Sequence, residues 1–188
     1  MNTVLDVQGL CKTFTGLGLQ SLSFQLEKGT ITGFVGPNGS GKTTTIKCIL
    51  NLLHLNSGTI TALGFDSVQQ ERELKDQLGV VLDEGYYFEN LTIREMTKLI
   101  RPIYTAWDEN AYQAYIRKFQ LPEEKKIKDL SRGMRMKYSI ALALSHQAKL
   151  FIMDEPTSGL DPLVRSEFIE LLQEIIQDEE RTVFFSTH

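Results

Sequence analysis

Cysteine is scarce in this chain: only Cys11 and Cys48 occur, and they form no C-x-x-C pair. A disulfide framework and a thiolate metal site both drop out, leaving two unpaired, buried thiols as the expectation. Long apolar runs are absent as well. No stretch approaches the roughly 18 to 20 residues needed to cross a bilayer, so any membrane role has to come through a protein partner. The opening Met1-Asn2-Thr3-Val4-Leu5-Asp6 has neither the basic start nor the apolar stretch of a signal peptide, and a cytoplasmic protein is expected. Positive charge is not in excess. Twenty Lys and Arg against 24 Asp and Glu give a net charge of −4, which argues against a nucleic-acid or anionic-lipid partner. Internal repeats and low-complexity segments are missing too. What remains is a chain of 188 residues, 41% hydrophobic, enough for one sizeable core and a subdomain.

The first third reads as β-structure punctuated by glycine. Strands are expected over residues 4–10, over 21–26 with alternating apolar and polar residues, over 30–35 and over 59–63. From residue 91 the pattern turns helical, starting with the capping-box run Thr92-Ile93-Arg94-Glu95 and continuing through 111–119 and 133–144. The continuous apolar strand Leu150-Phe151-Ile152-Met153, an amphipathic helix over 164–176 and a last strand over 182–185 then return the chain to an α/β core. His54 and His146 are read as exposed residues near helix ends.

Chemistry enters with Gly36-Pro37-Asn38-Gly39-Ser40-Gly41-Lys42-Thr43, which satisfies G-x-x-x-x-G-K-[ST] at every fixed position. It lies between a β-branched segment and a helical one, over 43–53, with Ile46, Ile49, Leu50 and Leu53 on one face. Glycines let such a loop turn its N–H groups toward phosphate oxygens, and the start of the helix favours an anion. Lys42 is placed to reach the β- and γ-phosphates of a nucleoside triphosphate, and the Thr43 hydroxyl to ligate Mg²⁺, with Thr44 beside it. The second acidic element is Asp154-Glu155, delivered by the strand 150–153 and cut off by Pro156. An acid at such a strand end supports Mg²⁺, and a second beside it can polarise the attacking water. No Asn-Lys-x-Asp run that would read guanine is present.

Three further runs complete a pattern: Leu130-Ser131-Arg132-Gly133-Met134, the extension Pro156-Thr157-Ser158-Gly159-Leu160-Asp161, and Ser186-Thr187-His188. Together with the phosphate loop and Asp154-Glu155 they resemble, in order and over essentially the whole chain, an ATP-binding subunit of an ABC transporter. The resemblance is closest to bacterial exporters of the antibiotic- and peptide-resistance kind. It implies an α/β fold of the P-loop NTPase class. Its core is a mostly parallel sheet with an antiparallel β subdomain (residues 1–83 and 149–188), and a helical subdomain carrying the signature is inserted (84–148). It also implies ATP and Mg²⁺ as cofactors, transmembrane permease subunits as partners, and a place at the inner face of the cell membrane through them.

By the same resemblance Glu155 is the general base, His188 steadies the γ-phosphate, and Thr43, Asp154 and Asp83 serve the metal. Ser131 and Gly133 would meet the ATP held by a second copy, and Asp161 would connect the two sites. Phe14 stands where the family stacks an aromatic ring on adenine, with a place in the core as the competing reading. Tyr86, Tyr87 and Phe88 could receive a helix of a membrane partner or pack within the insert. The chain departs from the family in three ways. Arg132 and Met134 stand where Gly and Gln are usual, Asp83 takes the place of a glutamine, and the chain stops at His188 where the family continues, so a C-terminal truncation is expected. A soluble ABC ATPase clamp acting in translation or DNA repair is the alternative, although neither a tandem module nor a coiled-coil insertion is seen.

Overall fold

The computed structural model describes residues 2–14, 17–82, 87–177 and 179–188. Two sheets form. Strands β1 (Thr3–Phe14), β2 (Leu17–Glu27), β4 (Ser57–Ala62) and β5 (Phe65–Asp66) make an antiparallel sheet in the order β2-β1-β4-β5. Strands β3 (Ile31–Val35), β6 (Leu78–Val81), β7 (Leu150–Met153) and β8 (Thr182–Thr187) make a parallel sheet in the order β3-β8-β7-β6. The expected α/β architecture with its antiparallel companion is what the chain adopts.

Strand β7 shows why the parallel sheet is interior. All four of its residues are buried, as expected of a parallel strand covered on both faces. Its side chains still divide by the period of two. Leu150 and Ile152 join a core shared with β1, β4 and helix α1 (Lys42–Ile49), while Phe151 and Met153 face helices α5 (Arg132–Ser145) and α6 (Pro162–Ile175). A third core, around Ile93, Tyr112, Ile116 and Tyr138, belongs to helix α3 (Ile93–Ile100), helix α4 (Glu109–Lys118) and again α5. Because α5 contributes Ile140 and Ala143 to one core and Tyr138 and Ala141 to another, it is apolar around most of its circumference.

The helix starts follow local chemistry. Thr92 and Glu95 form the expected capping box of α3, Asp108 caps α4, Ser131 caps α5 and Asp161 caps α6. Helix α1 ends four residues earlier than its apolar spacing suggests. Asn51 adopts φ 53° and the amides of Leu52 and Leu53 both donate to the Lys47 carbonyl, so a left-handed asparagine terminates it. The short helix α2 (Glu71–Lys75) and strand β6 carry too little pattern to be read from the sequence.

His146 corrects the sequence reading. It does sit at the end of α5, but it is buried rather than exposed. Its Nδ1 lies 2.8 Å from the Leu142 carbonyl and its Nε2 3.0 Å from the Leu78 carbonyl, with the Tyr104 ring stacked on it at 3.6 Å. Burial pushes its pKa down, against the pull of those two carbonyls and of Asp76. His54 is exposed as expected. Cys48 is buried and Cys11 partly so, both unpaired.

Phe168 is fully buried and Ile169, its neighbour on α6, is 48% exposed. Phe168→Ala is expected to lower unfolding stability by about 3–5 kcal/mol and Ile169→Ala by about 0.5 kcal/mol or less, read from urea unfolding midpoints.

Candidate active site

Three adjacent parallel strands deliver the site from their C-terminal ends, where open α/β sheets place their ligands. Strand β3 runs into Gly36, β8 ends at His188 and β7 delivers Asp154 and Glu155; Val35 pairs with Thr187, and Met153 with Phe185. The Gly36 amide lies 3.4 Å from the Thr187 carbonyl, tying the start of the loop to the end of β8.

The loop Gly36, Pro37, Asn38, Gly39, Ser40, Gly41 closes over the side chain that follows it. Lys42 donates its ammonium protons to the carbonyls of Gly36 (2.6 Å) and Pro37 (3.2 Å) and to His188 Nδ1 (3.4 Å). Gly41 ends the loop at φ +96°, a turn that favours glycine, and a Cβ there would lie 2.4 Å from Leu19 Cδ2 of β2 and push that side chain aside. Among the described helices of eight or more residues, α1 stands apart, with no side chain on its N-terminal amides and no acid in its first turn. Those amides remain available to an anion, and the helix dipole favours one there.

The acidic half is held just as closely. Asp154 is buried, and its Oδ1 accepts a hydrogen bond from Ser186 Oγ at 2.7 Å. The same hydroxyl accepts from the Glu155 amide at 2.9 Å. Glu155 sits at φ 47°, a conformation non-glycine residues seldom occupy and one that costs about 1–3 kcal/mol. Its carboxylate is aimed inward, with Oε1 3.5 Å from the Lys42 ammonium and Oε2 2.9 Å from His188 Nε2. With Nδ1 facing the ammonium, the histidine ring donates from Nε2 to Glu155. Lys42, Glu155 and His188 therefore form one cluster where the loop's carbonyls and the strand-end carboxylate converge.

Ser186 was missed in the sequence. Its signal was the period of two: on β8 it shares a strand face with His188, two residues on, directed at the same place. Leu19, which shapes the loop from β2, had no such signal. Asp154 and the exposed Thr43 hydroxyl supply hard oxygen ligands, and among the described residues no group of three or more His, Cys, Asp and Glu gathers as a self-sufficient metal cage. A donor set of this kind fits Mg²⁺, which takes one or two protein oxygens and fills its shell from phosphate and water.

The remaining candidates lie elsewhere. Ser131 Oγ accepts from the Met134 amide (3.2 Å) and Asp161 Oδ1 from the Val164 amide (3.0 Å), each capping its own helix. Gly133 is where α5 and α6 touch: a Cβ there would be 3.0 Å from Val164 Cγ1. Among the described residues no hydrogen bond or ion pair joins Ser131, Gly133 or Asp161 to the loop, Asp154, Glu155 or His188. Phe14 is not a core residue. It is 50% exposed at the end of β1, with the Lys12 ammonium 5.5 Å from its ring centre, on the hairpin whose β2 strand brings Leu19 to Gly41. Tyr87 packs in the helical subdomain and bonds Ser139 Oγ at 2.8 Å, whereas Phe88 is 66% exposed. Asp83 and Tyr86 lie outside the described residues.

Over nearly its whole length this chain is similar to known proteins. It is 33% identical over 188 residues to the uncharacterized ABC transporter ATP-binding protein YdbJ of Bacillus subtilis, covering 98% of this chain and 61% of that protein. It is 32% identical over 191 residues to the bacitracin transport ATP-binding protein BcrA of Bacillus licheniformis, covering 100% of this chain and 62% of that one. The chain thus spans about three fifths of the length of these relatives. A solved structure described as the ATP binding subunit of an ABC transporter superimposes with a TM-score of 0.84 at 27% identity, over 98% of this chain and 79% of that one. The ABC transporter family matches residues 19–158, and the chain belongs to that family as an ATP-binding domain.

Proposed function

We propose that this chain is the ATP-hydrolysing engine of a membrane transporter, working through partner transmembrane subunits and closing on a second ATP-binding subunit. The observation that carries the reading is the convergence of Lys42, Glu155 and His188 at the phosphate loop. Export is the direction favoured by the resemblance of the signature region to resistance-type exporters. The place of action is then the cytoplasmic face of the membrane, reached through the partner. Among the described residues no helix is long and apolar enough to cross a bilayer.

In this reading the amides of Gly39 to Thr44 and the Lys42 ammonium receive the β- and γ-phosphates of ATP, which displace the loop carbonyls and Glu155 from Lys42. Phe14, half-exposed at the hairpin end, offers its face to adenine. Asp154 and Thr43 would hold Mg²⁺, which neutralises charge on the phosphates when bound. Freed from Lys42, Glu155 keeps its backbone amide pinned by Ser186 and polarises the water aligned behind the γ-phosphate. His188, already bonded to Glu155, steadies the phosphoryl oxygens. Ser131 and Gly133, remote from the loop of their own chain, supply the surface that covers the nucleotide of the other copy.

A cavity of about 220 Å³ lies between the parallel sheet and the helical subdomain, lined by Leu82, Tyr87, Ile103, Tyr104, Leu142 and His146 among others. Exposed Phe88 and Ile103 mark the helical subdomain's apolar surface. We assign this groove to a short apolar helix of the transmembrane partner. Its floor includes Ser139, Leu142, Ala143 and His146, along the helix α5 whose other end is capped by Ser131, about 12 to 22 Å away at 1.5 Å per residue. One rigid element therefore touches both the transporter and the second nucleotide.

Three outcomes test the reading in the complete subunit. Glu155→Gln is expected to bind ATP and form ATP-dependent dimers while turnover falls by about 10²–10⁴-fold; turnover at the unsubstituted rate would remove Glu155 as the base. Ser131→Arg is expected to abolish ATP-induced dimers in sedimentation experiments while single-copy ATP binding persists, and dimers that survive it would overturn the shared site. Ile103→Asp is expected to lose co-purification of the transmembrane subunits; retention of the full complex would move the docking site elsewhere.

A further inference from the structure

The first turn of α5 is charged in the wrong sense for a helix start. It holds Arg132 and Arg135 and no acidic residue, and cations there oppose the helix dipole. Arg135 has a local explanation: its Nη2 donates to the Lys128 carbonyl at 3.1 Å, and its Nη1 lies 3.8 Å from Glu89. Arg132 reaches a different part of the chain. Its Nη1 lies 3.5 Å from the Ser158 carbonyl, in the turn that joins β7 to α6 and ends at the helix cap Asp161. The next residue, Gly159, has φ +66°, and a Cβ on it would lie 2.3 Å from Arg132 Nη1 and 3.5 Å from Arg132 Cδ. The guanidinium thus lies against Gly159, in space that a side chain at this position would have to share. One residue further, Gly133 brings α5 against Val164, so the two helix starts are in contact.

We propose that Arg132 is a positioning residue that latches the Ser158–Asp161 turn to the signature, so that both present themselves to a second copy as one body. The inference rests on the reading that ATP is closed between two copies, since only then do the two surfaces have a common target. Arg132 stands where the family usually has glycine, and glycine has no side chain with which to reach Ser158. The Arg132 guanidinium orients the turn through the Ser158 carbonyl and through packing on Gly159, and its charge lies beside Ser131, where the other copy's triphosphate would arrive. Joining the two surfaces removes their independent motion before closure, so less ordering remains to oppose it when ATP binds. The consequence is a steeper response of hydrolysis to ATP.

The test is a double-mutant cycle on the complete subunit in its transporter complex, with ATPase rate followed against ATP concentration. Arg132→Gly is expected to raise half-saturating ATP about five-fold or more and to bring the Hill coefficient toward 1. Gly159→Ala, which displaces the guanidinium without removing its charge and also strains a turn held at φ +66°, is expected to show at least both changes, and the double variant to be no worse than Gly159→Ala alone. ATP binding by one copy, measured in a Ser131→Arg background where closure is blocked, should not follow the changes. An unaltered Hill coefficient and half-saturation in Arg132→Gly would overturn the latch, as would additive effects of the two substitutions, which would mark Arg132 as a direct phosphate contact. The two failures separate cleanly: persistence of ATP-induced dimers in Ser131→Arg defeats the two-copy reading itself, whereas their loss beside an unchanged Arg132→Gly response defeats only the latch.

Discussion

Lys42 carries an ammonium that is only 5% exposed, and a cation taken out of water must be met by charge or by oriented dipoles. Here two loop carbonyls, Glu155 and His188 all turn toward it. That one requirement shapes the loop, because the carbonyls of Gly36 and Pro37 have to face the ammonium. It shapes the sheet edge as well, because Glu155 reaches the ammonium only from the strained turn that Ser186 holds by its amide. The Glu155 carboxylate, 3.5 Å from the ammonium, occupies the side of Lys42 to which the proposed mechanism brings phosphate oxygens. In the proposed mechanism ATP exchanges one anion for another at Lys42, and the exchange frees Glu155 for the water it would polarise.

Helix α5 extends this local arrangement across the molecule. It is buried in two cores, it forms the floor of the cavity beside Tyr104 and His146, and its capped first turn lies against α6. A helix packed on so many sides moves as a unit or not at all. In the proposed mechanism this is what allows events at a groove to be felt at Ser131, and it gives His146 a purpose its sequence context did not suggest. By bridging the Leu142 and Leu78 carbonyls, His146 joins the end of α5 to the strand that leads toward residue 83.

Much of the site was legible in the chain because it consists of neighbours in sequence. The phosphate loop needs its glycines, Lys42 and Thr43 in one run, and Asp154 and Glu155 ride on a strand whose continuous apolar character announces burial on both faces. The capping box of Thr92 and Glu95 was equally local. Legibility failed where a partner comes from far away. His146 looked like a helix-end residue on the surface because nothing nearby shows that Tyr104 will stack on it, forty-two positions back. Ser186 bonds Asp154 thirty-two residues away, and its hydroxyl looked like any other in a strand. Asn51 shortened α1 against its apolar spacing, because a single left-handed residue outweighs a weak period.

The sequence by itself determined which residues are candidates for an anion site and that strands and helices alternate around them, because turn geometry, helix starts and hydrophobic period are all local properties. The tertiary structure decided which of those residues share a site. It brought β3, β8 and β7 side by side so that Lys42, Glu155 and His188 meet, while among the described residues no hydrogen bond joins Ser131, Gly133 or Asp161 to that cluster. It also laid Arg132 on Gly159, a contact that local pattern does not specify. The physical reason is common to all three: strand order and helix packing are set by burying apolar faces across the whole chain, and the polar groups then meet whatever that packing brings beside them.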